Sequence, residues 1–355
     1  MLFSIDEDTG GRLEGWVMPD NPAVTPRIVV HLNAAYHVVV EAFVFRPLLK
    51  EYGLHNTGVC GFVLDDSNCP GLASAGELEI YDADNNLLIY RRRSSNGLIN
   101  AKFFRLEPQL FRSAALDELL LPRFHMTYVA LDLLSEETTR SILALPFTSS
   151  IYAEGRVFWR VWEPLLRDRG YRVGILLRDP YHELAERLLI LKLATSAEKG
   201  SILDILGPTV EAAAVRLRDV DLTNQSSLDA ALGTPTHELR SALYNPLTSL
   251  LSAQNAFDAL PIPATAVALD SLADMDAIGL RDDTMPFLET ISAVLTFPDN
   301  LPTIALPTSQ TVLHLADLLR ARSVARSLIE MDLEIYDTVA ATLANHRSNP
   351  TLANA

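Results

Sequence analysis

Chemistry-bearing residues are thin on the ground in this chain, and the densest run of them is Val173 to Lys192, V-G-I-L-L-R-D-P-Y-H-E-L-A-E-R-L-L-I-L-K. An apolar stretch, an Arg178-Asp179-Pro180 turn and an amphipathic continuation predict a buried strand, a tight turn and a helix that begins at the proline. His182 falls one turn into that helix, where it reads as a flank of the turn rather than a general base. Other constellations fail on spacing. The histidines give no H-x-x-x-H, Cys60 and Cys69 give no C-x-x-C, and neither G-x-S-x-G nor G-x-G-x-x-G occurs. Asp82-Ala-Asp84 and Asp219-Val-Asp221 have the D-x-D spacing of a metal motif. The first lies in an expected hairpin, and no sheet edge is legible after the second. Trp159 and Trp162, three apart on a helix, read as core packing.

The run around Arg178 resembles the 3'-phosphate motif of PAPS-dependent carbohydrate sulfotransferases, in which a strand ends in Arg-Asp-Pro or Arg-Asn-Pro and a Ser lies eight residues after the Arg. Here the eighth position is Glu186. A carboxylate facing a phosphate dianion at close range costs several kcal/mol. The family also carries a 5'-phosphosulfate loop of the P-K-x-G-T-[TS] kind, whose lysine neutralises the sulfuryl group and whose backbone cradles the anion. Between Phe103 and Glu154 there is neither a lysine nor a glycine. A third likeness is Leu328-Ile-Glu-Met-Asp-Leu-Glu-Ile-Tyr-Asp337, similar to the D-x-x-L-Y helix that closes many of these enzymes, although Asp332 and Tyr336 also suit an ordinary amphipathic helix. The resemblance covers roughly residues 120 to 345. It implies a doubly wound, parallel-sheet, P-loop-type fold, with Arg178 and Glu186 as a vestigial phosphate site, no catalytic residue and no cofactor. PAPS enters only if the domain is an active transferase.

The elements needed to hold such a site alternate in the second half: strand 127–134, helix 135–145 with Ser135 as N-cap, strand 149–154, helix 156–169 interrupted by Pro164, strand 172–177 and helix 180–195. A helical region 200–260 punctuated by Pro208, Pro235 and Pro246 follows, then a strand at Ala264–Leu269 and a last helix at 322–345. The first ninety-odd residues differ. Short β-branched and aromatic runs alternate there with turn clusters, which predicts an antiparallel β-sandwich of about seven strands. The expected organisation is a β-sandwich over 1–95, a linker over 96–121, the α/β domain over 122–345 and a disordered tail over 346–355.

Gly15-Trp16, Pro19-Asp20, Ala42, Arg46-Pro47-Leu48-Leu49 and Gly61-Phe62 resemble a β-sandwich module found beside bacterial glycosyltransferases and other surface-polysaccharide proteins. Leu48 replaces the acidic residue usual after Arg-Pro in that module. The resemblance makes Trp16, Asp20, Tyr36 and Arg46 glycan-contact candidates, an aromatic face for the sugar ring with polar groups for its hydroxyls. Trp16 as a core plug and Arg46 as an ion-pair partner are the structural alternative.

Composition narrows the classes. With 29 basic and 45 acidic residues the formal net charge is −16, which argues against nucleic acid, whose binding draws on a basic face. Arg91-Arg-Arg93 is the local exception, a solvated strand end or a patch for an anionic partner. No apolar run reaches a membrane span of roughly 20 residues, and the start, Met1-Leu-Phe-Ser-Ile-Asp-Glu-Asp, has no basic n-region, so cytoplasmic synthesis without a signal peptide is expected. Cys60 and Cys69 are expected as buried thiols. The leading expectation is a non-catalytic glycan-associated protein acting at surface or capsular polysaccharide, as a homo-oligomer or with assembly partners. The alternatives are an active sulfotransferase or glycosyltransferase of polysaccharide biosynthesis, and a structural decoration of a phage-like particle that contacts capsule.

Overall fold

The computed structural model describes residues 1–33, 36–194, 208–260, 262–299 and 301–348. It has two compact units, Met1–Lys102 with Leu120–Tyr128 and Leu134–Ala153, and Phe103–Leu119 with Val129–Leu133 and Glu154–Ala355.

In the first unit, eight strands build two antiparallel sheets: β1 (Leu2–Asp8), β2 (Leu13–Met18), β3 (Arg27–Asn33), β4 (Tyr36–Glu41), β5 (Val44–Phe45), β6 (Val59–Leu64), β7 (Leu78–Asp82) and β8 (Leu88–Arg92), with helix α1 (Pro47–Glu51) after β5. The orders are β1-β2-β6-β5 and β4-β3-β7-β8. The period-2 pattern works as it should: Leu13 and Val17 are fully buried, and so are Val30, Leu64 and Ile80. β4 ends at Glu41, and β5 resumes at Val44 with a register shift against β6. Cys60 and Cys69 are buried free thiols.

A five-stranded parallel sheet follows in the order β10-β11-β9-β12-β13, formed by β9 (Lys102–Leu106), β10 (Met126–Tyr128), β11 (Ile151–Gly155), β12 (Tyr171–Leu177) and β13 (Ala277–Leu280). Its first strand lies in the segment read as a linker, 96–121, which also holds α2 (Ala114–Leu120). Lys102-Phe-Phe-Arg-Leu106 hides this role because a fully buried strand should not carry an arginine; Arg105 is tolerated because carboxylates pair with it. The strand expected over 127–134 stops at Tyr128, where Ala130 takes a positive φ of 60° and a 3-10 turn over Leu131–Leu133 begins.

The helices are α3 (Glu136–Leu143), α4 (Trp159–Asp168), α5 (Pro180–Ala194), α6 (Pro208–Leu217), α7 (Gln225–Gly233), α8 (His237–Leu243), α9 (Pro246–Ser252), α10 (Ala264–Ala273), α11 (Met285–Val294), α12 (Gln310–Arg320), α13 (Ser323–Leu328) and α14 (Glu330–Ser348). Ser135 caps α3 as expected, its hydroxyl accepting the Thr138 N–H. Pro164 lies inside α4. Pro208 and Pro246 open helices, the position where a missing N–H costs nothing. The expected strand at 264–269 is instead α10, and the strand comes later as β13. An apolar run of alanine, valine and leucine suits a buried helix as well as a buried strand, and its ten-residue length decides for helix. Residues 346–348 of the expected tail belong to α14, and 349–355 lie outside the described residues, as do 195–207 at the junction of two expected helices. Leu184, Leu188 and Leu191 of α5 share a core with Ala213 and Leu217 of α6 and with Leu315 and Leu319 of α12. Gly174 lets β12 meet neighbours closely, since a Cβ there would stand 2.8 Å from the Phe103 ring.

Candidate functional site

Within the second unit, β9 and β12 are neighbours in the sheet, and both carry polar residues at their exits: Glu107-Pro108-Gln109 after β9 and Arg178-Asp179-Pro180 after β12. The sheet order places them where the chain's winding changes direction, the crevice in which doubly wound sheets hold ligands.

Arg178 is buried, its side chain 1% exposed. It forms an ion pair with Glu186, lies 3.8 Å from Glu183 and reaches Thr308 Oγ1 at 3.4 Å. Asp179 does not share it. Its carboxylate accepts the N–H groups of Tyr181 and His182 at 2.9 and 3.0 Å, capping α5, and pairs with Arg320 at 3.0 Å. The first turn of α5 therefore already has an anion on its free N–H groups.

The loop after β9 is occupied in the same way. Glu183 Oε1 accepts the Leu110 N–H at 3.0 Å, and Glu107 accepts those of Gln109 at 3.1 Å and Ser113 at 3.4 Å. Arg187 bonds Glu183 at 2.6 Å and donates to the Pro108 carbonyl at 3.0 Å. Arg105 pairs with Glu107 at 2.5 Å and Asp117 at 2.8 Å, while Arg112 pairs with Asp132 and stands 3.5 Å from Glu154. Arg281 donates to Gln109. The guanidiniums of Arg105, Arg112, Arg178 and Arg187 thus each have a carboxylate of this chain on them, which offsets the positive charge a phosphate dianion needs, while Arg281 meets only a neutral amide. The half-open pocket lined by Gln109, Leu177, Arg178, Glu183 and Asp332 has room for about one water molecule at its centre.

Two carboxyl groups here are pushed towards the neutral form. Burial raises Glu154 to about 7, partly opposed by Arg105 and Arg112. Burial also raises Asp332 to about 6, against bonds from Thr248 and Leu247 that favour its charge. Asp332 thereby caps α9, so this residue of the D-x-x-L-Y likeness serves helix docking. Tyr336 is pushed up to about 12 by burial and by the nearby acids Asp282, Asp179 and Asp337.

The other named residues divide plainly. His182 Nε2 lies 3.3 Å from Arg320, at the surface. Trp159 and Trp162 are buried core residues. Asp82 is buried and holds the turn through Asn85, and Asp84 pairs with Arg27. Asp221 accepts from Thr223. Among the described residues no group of three or more His, Cys, Asp or Glu is placed to hold a metal, and no helix is long and apolar enough to cross a membrane. Arg91 pairs with Glu79 at 2.6 Å and donates to the His125 carbonyl, Arg92 pairs with Asp8, and Arg93 donates to the Pro122 carbonyl. All three arginines close strand ends.

Of the glycan candidates, Trp16 and Arg46 come together. Trp16 on β2 lies opposite Gly61 on β6, and the Arg46 side chain crosses directly over Gly61, where a Cβ would meet its Nε at 2.6 Å. Arg46 ends in an ion pair with Asp6 at 2.7 Å and a bond to the Gly15 carbonyl at 3.1 Å. Asp20 stands elsewhere, accepting from Ser135 at 3.1 Å and pairing with the Met1 amino group. Tyr36, 42% exposed, begins β4 at the edge of the other sheet. The four do not form one site.

Sequence reading missed Glu107, Glu183, Arg105, Arg112, Glu154 and Arg187. The available signal was charge inside apolar runs, as in Phe103-Phe-Arg-Leu-Glu107. No protein-family model matches this chain, and no curated protein matches it.

Proposed function

We propose that the chain is a non-catalytic, glycan-associated protein. In this reading residues 1 to about 95 are a β-sandwich that contacts surface or capsular polysaccharide, and the second unit is a sulfotransferase-like, P-loop-type domain whose PAPS site is filled by its own side chains. The observation that carries the reading is the set of internal carboxylates on the two anion loops: Glu183 on the Leu110 N–H, Glu107 on those of Gln109 and Ser113, and Glu186 on Arg178. A bound phosphosulfate would have to displace all of them and face their charge. Support for the glycan contact is narrower, resting on Trp16 and Arg46, which share one sheet face at Gly61. The aromatic face of Trp16 suits the apolar face of a sugar ring, and Arg46, paired with Asp6, holds the surface beside it.

Single sugar contacts are weak, at around millimolar affinity, and gain strength when several copies act together. The full chain displayed on a multivalent support should therefore bind acidic bacterial polysaccharides on an array, and Trp16→Ala should lower the signal at least tenfold. Absence of binding by the multivalent chain, or equal binding without Trp16, would make the first unit a protein docking module instead.

A further inference from the structure

Four side chains stand in one row across the second antiparallel sheet. His37 on β4 is opposite His31 on β3, His31 is opposite Glu79 on β7, and Glu79 is opposite Arg91 on β8. Directly opposed residues project from the same face. The two imidazole centroids are 5.6 Å apart with their planes 30° from parallel, and Tyr81 meets His31 edge-on at 5.5 Å. Tyr81 is itself fixed, since its hydroxyl donates to Glu79 at 2.7 Å while Arg91 holds the other oxygen of that carboxylate at 2.6 Å.

We propose that His31 and His37 form an open, two-imidazole clamp for a divalent transition-metal ion, Cu²⁺ ahead of Ni²⁺ and Zn²⁺. Metal–imidazole bonds of about 2.0–2.1 Å put each ring centroid about 3.2 Å from the metal, so a roughly 90–110° angle at the metal needs centroids about 4.5–5.2 Å apart. A small side-chain rotation from 5.6 Å reaches that range. The partly buried His31 is braced by Tyr81, whereas His37 is exposed and free to rotate. Glu79 is already engaged and does not ligate; its carboxylate next to His31, together with the net charge of −16, favours a cation. Remaining coordination positions face solvent and take water. The metal order follows from the rising affinity of nitrogen sites along the first-row divalent series. Nothing in this inference depends on the glycan reading.

Titration of the full chain with CuCl₂, NiCl₂ and ZnCl₂ by calorimetry tests it. Wild type should bind one equivalent of Cu²⁺ with an electron paramagnetic resonance signature of two nitrogen ligands. Affinity should fall at least tenfold in His37→Ala and in His31→Ala, and stay unchanged in His346→Ala, which alters the end of α14 in the second unit. His37 is exposed, so His37→Ala keeps the fold and its result is decisive. Unchanged Cu²⁺ affinity in that variant, or no saturable binding by wild type at millimolar metal, overturns the proposal.

Discussion

Arg178→Ala should destabilise the protein by about 3 kcal/mol, because it leaves carboxylates in a buried site without their cation. The side chain is 1% exposed, so solvent does little to screen the loss. Glu186, 18% exposed, loses its ion pair outright; Glu183 keeps Arg187 and the Leu110 N–H. The measurement is urea unfolding of wild type and variant. Adding Glu186→Ala to Arg178→Ala should recover part of the loss, since the uncompensated charge goes with it. An unfolding midpoint that does not move in Arg178→Ala would mean the pair contributes nothing, and the site would then be better described as an open one held together only by packing.

The second large effect is a pH dependence centred on Glu154. Its folded value is raised to about 7 from 4.5, chiefly by burial. The folded state therefore holds a proton that the unfolded chain releases, and the resulting stability is full below about 4.5 and lost as pH rises through about 7. Glu154→Gln removes this titration while keeping shape. The wild type should gain roughly 2 kcal/mol relative to Glu154→Gln between about pH 8 and pH 5.5. Taking the difference cancels groups common to both chains, such as His125, whose lowered value acts in the opposite direction over the same range. Parallel stability curves for the two proteins would show that Glu154 is already ionised, held so by Arg105 and Arg112.

What the sequence made legible follows from what local pattern encodes. The strand, turn and helix around Arg178 are local, and they appear as β12, Arg178-Asp179-Pro180 and α5 within a residue of the expected bounds. The pairing of Arg178 with Glu186 is also local, eight residues apart across one turn of chain and two of helix. Most of the internal occupancy is not. Leu110 and Glu183 are 73 residues apart, and Arg187 and Pro108 are 79 apart. Such bonds depend on β9 lying beside β12, which sequential pattern does not state. The arginine in β9 disguises a buried strand, and α10 looks like a strand in sequence because alanine-rich apolar runs carry no period. In the first unit the alternation gave the strands, whereas the meeting of Trp16 and Arg46 over Gly61 depends on register and on the bulge at β5.

In the proposed function, the chain's own carboxylates fill the loops after β9 and β12 that would otherwise hold the nucleotide. Calorimetric titration of the full chain with adenosine 3',5'-bisphosphate tests this most directly. No saturable heat should appear up to millimolar nucleotide, and the thermal midpoint should not rise, whereas a ligand at a hundredfold excess over its dissociation constant adds about 2.7 kcal/mol. Micromolar binding that weakens in Arg178→Ala would contradict the claim, because it would show that Glu183 and Glu186 yield their place to a phosphate.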